Sequence, residues 1–241
     1  MATTITWLGH SNFFIETPGV NIYIDPFFGD AAPQKPWRDL DKADLVLVTH
    51  DHDDHVGSAV DICLEDGAQL GGIVGSVERI AAGNLAPEHI LNGIGFNMGG
   101  TVLYKGAEIV MVPAFHSSNS GTPAGYIITL PDGLTIYHAG DTCVFGDMAL
   151  WGEMYPLDLA LLPMGGVFTM GPAQAAMACK LLGARNVIPM HWGTFPVLEQ
   201  NTARFTTALP QLAPFCKPML LSPGDSCHFD DPDQPARLGR A

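Results

Sequence analysis

A chain of 241 residues, 47% apolar and 15% charged, is long enough for one sizeable domain or for two similar halves sharing a core, and its composition excludes a disordered protein. Its formal net charge of −14, from 11 basic against 25 acidic residues, repels a polyanion and makes nucleic acid an unexpected partner. No apolar stretch reaches the ~20 residues of a membrane-spanning helix. The stretch from Met1 to Trp7 lacks a basic segment followed by an apolar one, so no signal peptide and no membrane span are expected, and a cytoplasmic location follows. Cys63, Cys143, Cys179, Cys216 and Cys227 form no CxxC pair, which fits reduced, mostly buried thiols.

In chain order, a first strand is expected to end near Gly9, where His10 stands at a turn. Ile22-Tyr23-Ile24 reads as the next strand, and Leu45-Val46-Leu47-Val48 as one buried on both faces. A helix is expected to start near Asp54 or His55. Further strands are predicted over Glu108 to Val112, Tyr126 to Leu130, Leu134 to Tyr137, Leu159 to Leu162 and Asn186 to Pro189, with Pro131-Asp132-Gly133 as a hairpin turn. One helix is clear: it opens at Gly171-Pro172, runs through Ala173, Ala176, Met177 and Leu181, and stops at Gly183. Strands alternating with a few helices give an α/β or α+β class. No linker separates domains. Gly71-Gly72 and Gly165-Gly166 are not read as phosphate loops, because neither is expected to lie between a strand and a directly following helix.

The strongest chemical signal is the run His50-Asp51-His52-Asp53-Asp54-His55, directly after a buried strand. Residues two apart in an extended or turning loop point to similar sides, so His50 and His52 can converge on one ion, with Asp54 and His55 beside them. Three imidazoles and several carboxylates make an N/O site suited to zinc, manganese or iron. The bland alternative is a solvated acidic loop, but such loops seldom concentrate three histidines. Six residues cannot fill two coordination spheres. His116, Asp141 and His191 each follow an apolar run at a strand end, and although a lone residue of this kind is more often structural, three of them beside such a cluster support one another.

At this point the sequence resembles the metallo-β-lactamase superfamily, whose hallmark is HxHxDH followed by a distant His, Asp and His. More narrowly it resembles the UPF0173 metal-dependent hydrolase branch, related to ascorbate-6-phosphate lactonase and N-acyl-phosphatidylethanolamine phospholipase D. The narrower likeness rests on Trp7-Leu8-Gly9-His10-Ser11, Ile24-Asp25-Pro26-Phe27, Ala114-Phe115-His116-Ser117-Ser118, Tyr137-His138-Ala139-Gly140-Asp141-Thr142, Gly165-Gly166-Val167-Phe168-Thr169-Met170-Gly171-Pro172 and Pro189-Met190-His191-Trp192-Gly193-Thr194. The resemblance implies an αβ/βα four-layer sandwich over residues 1–241, in two pseudo-symmetric halves that meet near 100–110. It implies a first metal on His50, His52 and His116, a second on Asp54, His55 and His191, and Asp141 bridging them. One or two divalent ions are expected, zinc foremost, with manganese or iron as alternatives. Relatives often assemble, so a homo-oligomer is an open expectation.

Such a site implies hydrolysis of a small ester, lactone, amide or phosphate ester, because two dications deprotonate a shared water near neutral pH and stabilise the oxyanion that its attack creates. Asp54 is expected to orient that nucleophile, and His10 to reach into the pocket towards substrate or leaving group, the alternative being a turn-capping histidine. Asp25 is either a partner for a metal-bound imidazole or a turn aspartate before Pro26. His138 reads as a buried structural group, and His89 and His228 as structural or exposed. Cys143 is not needed as a ligand. Phe168, Met170, Trp192 and Phe195 form either a pocket wall or ordinary core. Residues 44–60, 113–126 and 138–148 contain no Lys or Arg, leaving Arg38, Arg79, Arg185 and Arg204 as the candidates to reach a single phosphate. Two rival functions are a mononuclear iron dioxygenase acting on a thiol and a metal-containing binding protein without turnover. The diiron electron-transfer branch usually carries Glu where this chain has His52.

Overall fold

The computed structural model describes residues 3–29, 36–229 and 237–239. Two seven-stranded mixed sheets pack face to face with helices on both outer sides. The first sheet contains β1 (Thr3–Gly9), β2 (Asn12–Thr17), β3 (Val20–Ile24), β4 (Leu45–Leu47) and β5 (Gln69–Gly71). The second contains β6 (Thr101–Tyr104), β7 (Ala107–Pro113), β8 (Ala124–Thr129), β9 (Thr135–His138), β10 (Leu159–Pro163), β11 (Asn186–Met190) and β12 (Lys217–Pro218). The chain then returns to the first sheet as β13 (Ser226–Phe229) and β14 (Arg237–Gly239), giving the orders β14-β13-β1-β2-β3-β4-β5 and β12-β11-β10-β9-β8-β7-β6. The expected sandwich is therefore present.

Strand alternation explains why the sequence runs read as continuously apolar. Ile22 and Ile24 of β3 and Leu45 and Leu47 of β4 join Ile109, Met111, Ile128, Leu159, Leu161 and Ile188 in the core between the sheets. Their neighbours Tyr23 and Val46 face outward onto helix α2 (Ala59–Asp66) and helix α3 (Val74–Ala81), through Ile62, Cys63, Val77 and Ile80. In the second sheet, Val110, Ile127, Tyr137, Ala160, Leu162 and Val187 face α4 (Met148–Met154), α5 (Pro172–Leu182) and α6 (Ala203–Leu212). Each of these strands is thus covered on both faces, the condition under which polar alternation disappears. Helix α5 has Pro172 at its first turn and ends on Gly183 in the left-handed conformation (φ 63°), as its sequence predicts.

The one-turn helix α1 (Asp53–Val56) begins immediately after His52. One expectation needs correction. Gly71-Gly72 does lie between a strand, β5, and a helix, α3, that starts at Val74. The glycines serve packing there: a Cβ on Gly72 would come 3.0 Å from the Val48 carbonyl and one on Gly71 2.8 Å from Leu47.

Directionality places the site. Strands β1, β3 and β4 share one direction, since β1 and β3 are each antiparallel to β2 while β3 and β4 are parallel. Strands β7, β9, β10 and β11 share another, by the antiparallel pairs β7–β8 and β8–β9 and the parallel pairs β9–β10 and β10–β11. Within each sheet the carboxyl ends of these strands therefore open at one edge. The two edges are stitched together by backbone: the Ala124 amide donates to the Thr49 carbonyl at 2.9 Å, and the His191 amide to the His10 carbonyl at 3.0 Å.

Candidate metal centre

The stitched edge carries His10 after β1, Asp25 after β3, His50 to His55 after β4, His116 after β7, Asp141 after β9 and His191 after β11. Loops at the carboxyl ends of strands are where an open sheet can present side chains without disturbing its ladder. Three of the site residues, His10 (φ 52°), Asp25 (φ 50°) and His191 (φ 58°), hold left-handed backbone, as does nearby Val167 (φ 50°). Among the described residues only two other non-glycine positions do so, Asn92 and Lys105. Strain of this kind concentrates where a side chain must be aimed.

Ligand-bearing atoms gather in three overlapping groups: His50, His52 and His116; His10, Asp54, His55 and His191; and His50, His55 and Asp141. Within each, one donor atom per residue lies within 4.8 Å of the others. Asp141 Oδ2 sits 3.0 Å from His191 Nε2, 3.4 Å from His55 Nε2 and 3.6 Å from His116 Nε2. His50 Nε2 and His52 Nδ1 are 2.8 Å apart. The test of whether a cation belongs here is the state of the buried polar atoms. His55 Nε2 and Asp141 Oδ1 are buried without a hydrogen-bond partner, in a centre otherwise rich in such bonds. Unpaired buried donors and acceptors are costly, and a shared divalent ion satisfies both at once. The donor set fits.

Supporting hydrogen bonds fix the tautomers. Asp25, fully buried, accepts at 2.7 Å from the Thr49 amide, at 2.7 Å from the Thr49 hydroxyl and at 2.7 Å from His55 Nδ1–H. This aims His55 Nε2 inward, the usual device for holding a metal-binding imidazole, and the contact to His55 is one of the two arrangements that the sequence leaves open for Asp25. Since the Thr49 hydroxyl spends its proton on Asp25, it accepts from His50 Nδ1–H at 3.1 Å, and His50 Nε2 is left as a lone pair. Burial, reinforced by His55, lowers the His50 pKa to about 2, so this imidazole is neutral. Burial also opposes charge on His55, but Asp141 and Asp25 outweigh it and hold its pKa well above the usual imidazole value. Asp141 stays ionised: burial disfavours its charge, and His55 and His191 more than compensate.

His10 does not stand on the cavity wall. It is 1% exposed, packed against the His191 ring at 3.9 Å and edge-on to Phe27 and Phe195. Burial lowers its pKa to about 4 against the opposing effect of its hydrogen bond to Asp54. A neutral His10 has one N–H, and Asp54 can only accept, so Nε2–H donates to Asp54 Oδ2 at 3.1 Å while Nδ1 accepts from the Thr194 hydroxyl at 3.0 Å. Asp54 itself faces the cavity and stays ionised, burial being outweighed by His10 and His55. His138 is fully buried: Nδ1 accepts from the Gly140 amide at 3.1 Å and Nε2–H donates to the Ser11 carbonyl at 3.1 Å, which braces the turn carrying Asp141. His89 and His228 lie away from the centre, bonded to the Ala68 carbonyl and to Thr4.

One residue had no role in the sequence reading. Asp51, between His50 and His52, turns away from the ligands. It accepts from Ser118 Oγ at 2.6 Å, the Asn119 amide at 2.7 Å, the Ser120 amide at 3.1 Å and Ser120 Oγ at 2.5 Å, with Arg79 Nε 3.3 Å away. The hydrogen bonds hold its pKa down to about 2 despite burial, and they buckle the first ligand loop to the segment just after His116. Its only sequence signal is the cluster of Ser and Asn at 117–120, which is common in any loop.

The centre opens to a cavity of about 160 Å³ lined by His52, Asp54, His116, Ser117, Asp141, His191, Phe168 and Phe195. Phe168 and Phe195 are thus wall residues, whereas Met170 is fully buried in the outer core and Trp192 packs beside it, 5.3 Å from Trp7. Among the described residues no Lys or Arg lines the cavity. Arg38, Arg79, Arg185 and Arg204 pair instead with Glu65, Asp51, Asp158 and Glu199. Cys143 is exposed and the other four cysteines are buried; all five are free.

A family model described as the beta-lactamase superfamily domain matches residues 4–191, and the chain belongs to that superfamily. Within it the chain falls in the UPF0173 metal-dependent hydrolase branch. It is 59% identical over 231 residues to the UPF0173 metal-dependent hydrolase of Nitratidesulfovibrio vulgaris, covering 95% of this chain and 97% of that one. It is 50% identical over 228 residues to the counterpart from Lawsonia intracellularis, covering 94% and 99%. Among solved structures it is similar to Igni18, a metallo hydrolase from Ignicoccus hospitalis, with a TM-score of 0.85, 35% identity, and coverage of 96% of this chain and all of that one. No helix among the described residues is long and apolar enough to cross a membrane.

Proposed function

We propose that this chain holds up to two divalent ions, zinc foremost, and hydrolyses a small ester, lactone, amide or phosphate ester in the cytoplasm. His50, His52 and His116 hold one ion, Asp54, His55 and His191 the other, and Asp141 is shared. The observation that carries this reading is the convergence of the unpartnered His55 Nε2 and Asp141 Oδ1 beneath a cavity between the two sheets. The five free cysteines support a reducing compartment.

Bound ions supply Lewis acidity towards the electrophile and a lowered pKa for water. The chain's own groups do the rest. Neutral His50 offers a lone pair, and the inward-facing His55 Nε2, protonated between Asp25 and Asp141, would give up its proton to an ion. Asp54, ionised and facing the cavity, accepts a hydrogen bond from an attacking water and orients it. His10 acts through Asp54: its Nε2–H fixes Oδ2 and leaves Oδ1 to the cavity, so it is a positioning residue. Phe168 and Phe195 keep bulk water off the reacting group.

A screen of chromogenic esters, lactones and phosphodiesters, with zinc, manganese and iron supplied separately to metal-stripped protein, tests this. Metal-dependent turnover of at least one class, lost in Asp141→Asn, is expected. Oxygen consumption by the iron form with a thiol, and no hydrolysis, would overturn it in favour of a dioxygenase.

A further inference from the structure

The cavity changes character from floor to mouth. Its floor is imidazole and carboxylate, and its outer wall is Phe168 and Phe195. At about 160 Å³ it is smaller than the ~300–1,000 Å³ of most small-molecule sites, so it admits a reacting group and little else. The remainder of a substrate must lie against the rim.

That rim is apolar and built under strain. Phe168 is 57% and Val167 69% exposed. Val167 is β-branched yet has φ 50°, and the Phe168 amide donates to the Gly166 carbonyl at 2.5 Å, closing a three-residue turn around it. Left-handed turns of this kind are rare and strained, most of all at a β-branched residue. The turn is braced from behind: the Gly166 amide donates to the Met170 carbonyl at 3.0 Å, and the Met170 amide to the Thr142 carbonyl at 3.0 Å. Met170 itself is fully buried. Backbone strain is therefore retained to hold two large apolar side chains in water beside the site. Among the described residues no Lys or Arg lines the cavity opposite them.

We propose that the site selects substrates carrying an uncharged apolar group, an alkyl or acyl chain or an aromatic ring, next to the scissile bond, seated on Phe168 and Phe195. This rests on the metal-centre reading above and names the substrate class for it. The distinguishing measurement uses metal-directed hydroxamates, whose binding does not depend on turnover. Calorimetry on the zinc-loaded protein compares acetohydroxamate, hexanohydroxamate and adipic monohydroxamate, the last ending in a carboxylate.

A fully buried methylene is worth about fourfold in affinity, so four methylenes half-covered on the rim predict roughly a tenfold advantage for hexanohydroxamate over acetohydroxamate. That advantage should be absent for adipic monohydroxamate. It should shrink to about twofold in Phe168→Ala and in Phe195→Ala, with zinc content unchanged. Equal affinity for the short and long chains would overturn the proposal, as would a gain that persists in both variants or in the acidic ligand. A change of association state in Phe168→Ala, seen by sedimentation, with the chain-length gain intact, would make the rim a subunit contact and overturn it as well. Failure to bind zinc or any hydroxamate would remove the metal-centre reading and this proposal with it. A clear chain-length gain without turnover of any ester, lactone, amide or phosphate ester would remove only the hydrolase reading.

Discussion

The ligand run His50–His55 and the solitary residues His116, Asp141 and His191 reach the same cavity by different routes. The run takes its geometry from one short loop and one helical turn, α1, pinned to Asp25 through Thr49 and His55. The solitary three come from the ends of β7, β9 and β11, and their spacing depends on the whole second sheet and its docking onto the first. A local cluster is specified by neighbours in sequence; dispersed groups are specified by packing, and packing can be disturbed from a distance.

The sharpest test compares single changes in the two regions. On the proposed assignment, Asp141→Asn removes the shared carboxylate and should cost both ions. Turnover should fall by at least on the order of 10²-fold, since even supporting residues around metals are worth about 10- to 100-fold. His52→Ala should reduce metal content chiefly at the first position and abolish most turnover. Elemental analysis of both proteins, beside their rates, checks this; full metal content in Asp141→Asn would break the idea of a shared ligand.

Next comes a change that replaces no proposed ligand. A Cβ on Gly165 would meet the His191 carbonyl at 2.0 Å, so Gly165→Ala must push the end of β11 away. The second ion should be lost while the first is largely retained, with a rate loss of about 10- to 100-fold. Equal loss of both ions would show that the second sheet does not address the two positions separately.

The Asp51 buckle joins the two regions, and breaking it should have a smaller effect. Asp51→Asn places an amide donor among the Ser118, Asn119 and Ser120 donors, leaving at least one unpaired at about 1–3 kcal/mol. The carboxylate's pKa is held at about 2, below its unfolded value of 3.8, so its contribution is present above the unfolded value and is lost as pH falls through the folded one. The difference in melting temperature between the metal-free wild type and this variant should therefore be full at pH 6 and shrink towards pH 3. A constant difference over that range would remove the charge from the argument.

The smallest effect expected is chemical. Cys143 alone is exposed, while burial pushes the Cys63 and Cys227 thiols up to about 12, so one thiol per folded chain should react quickly with Ellman's reagent at pH 8.

Much of this was legible beforehand, for identifiable reasons. The His50–His55 run and the apolar strands before His116, Asp141 and His191 are local patterns, and α5 announces itself through Pro172 and Gly183. His10 illustrates the limit. Its position after β1 is readable, but whether it faces the cavity or stands behind Asp54 depends on the His191 ring packed against it, from the far end of the chain. Asp51 was hidden because its partners, Ser118 to Ser120, are distant and chemically ordinary. The order β5-Gly71-Gly72-α3 was missed because its glycines answer to Val48 and Leu47, contacts that exist only in the folded sheet.

The sandwich's double burial also bears on how such a chain can change. A strand with solvent on one face tolerates substitution at every second position; β3, β4, β8 and β10 here send alternate residues into two different cores. Saturation mutagenesis should find these strands intolerant without a two-residue rhythm. Freedom is left to the loops at the carboxyl edges, where the turn around Val167 and the segment bearing Phe195 are held by their own hydrogen bonds and carry apolar groups that no core requires. New specificity in this scaffold would therefore arise by exchanging a few rim side chains over an unaltered floor of imidazoles and carboxylates.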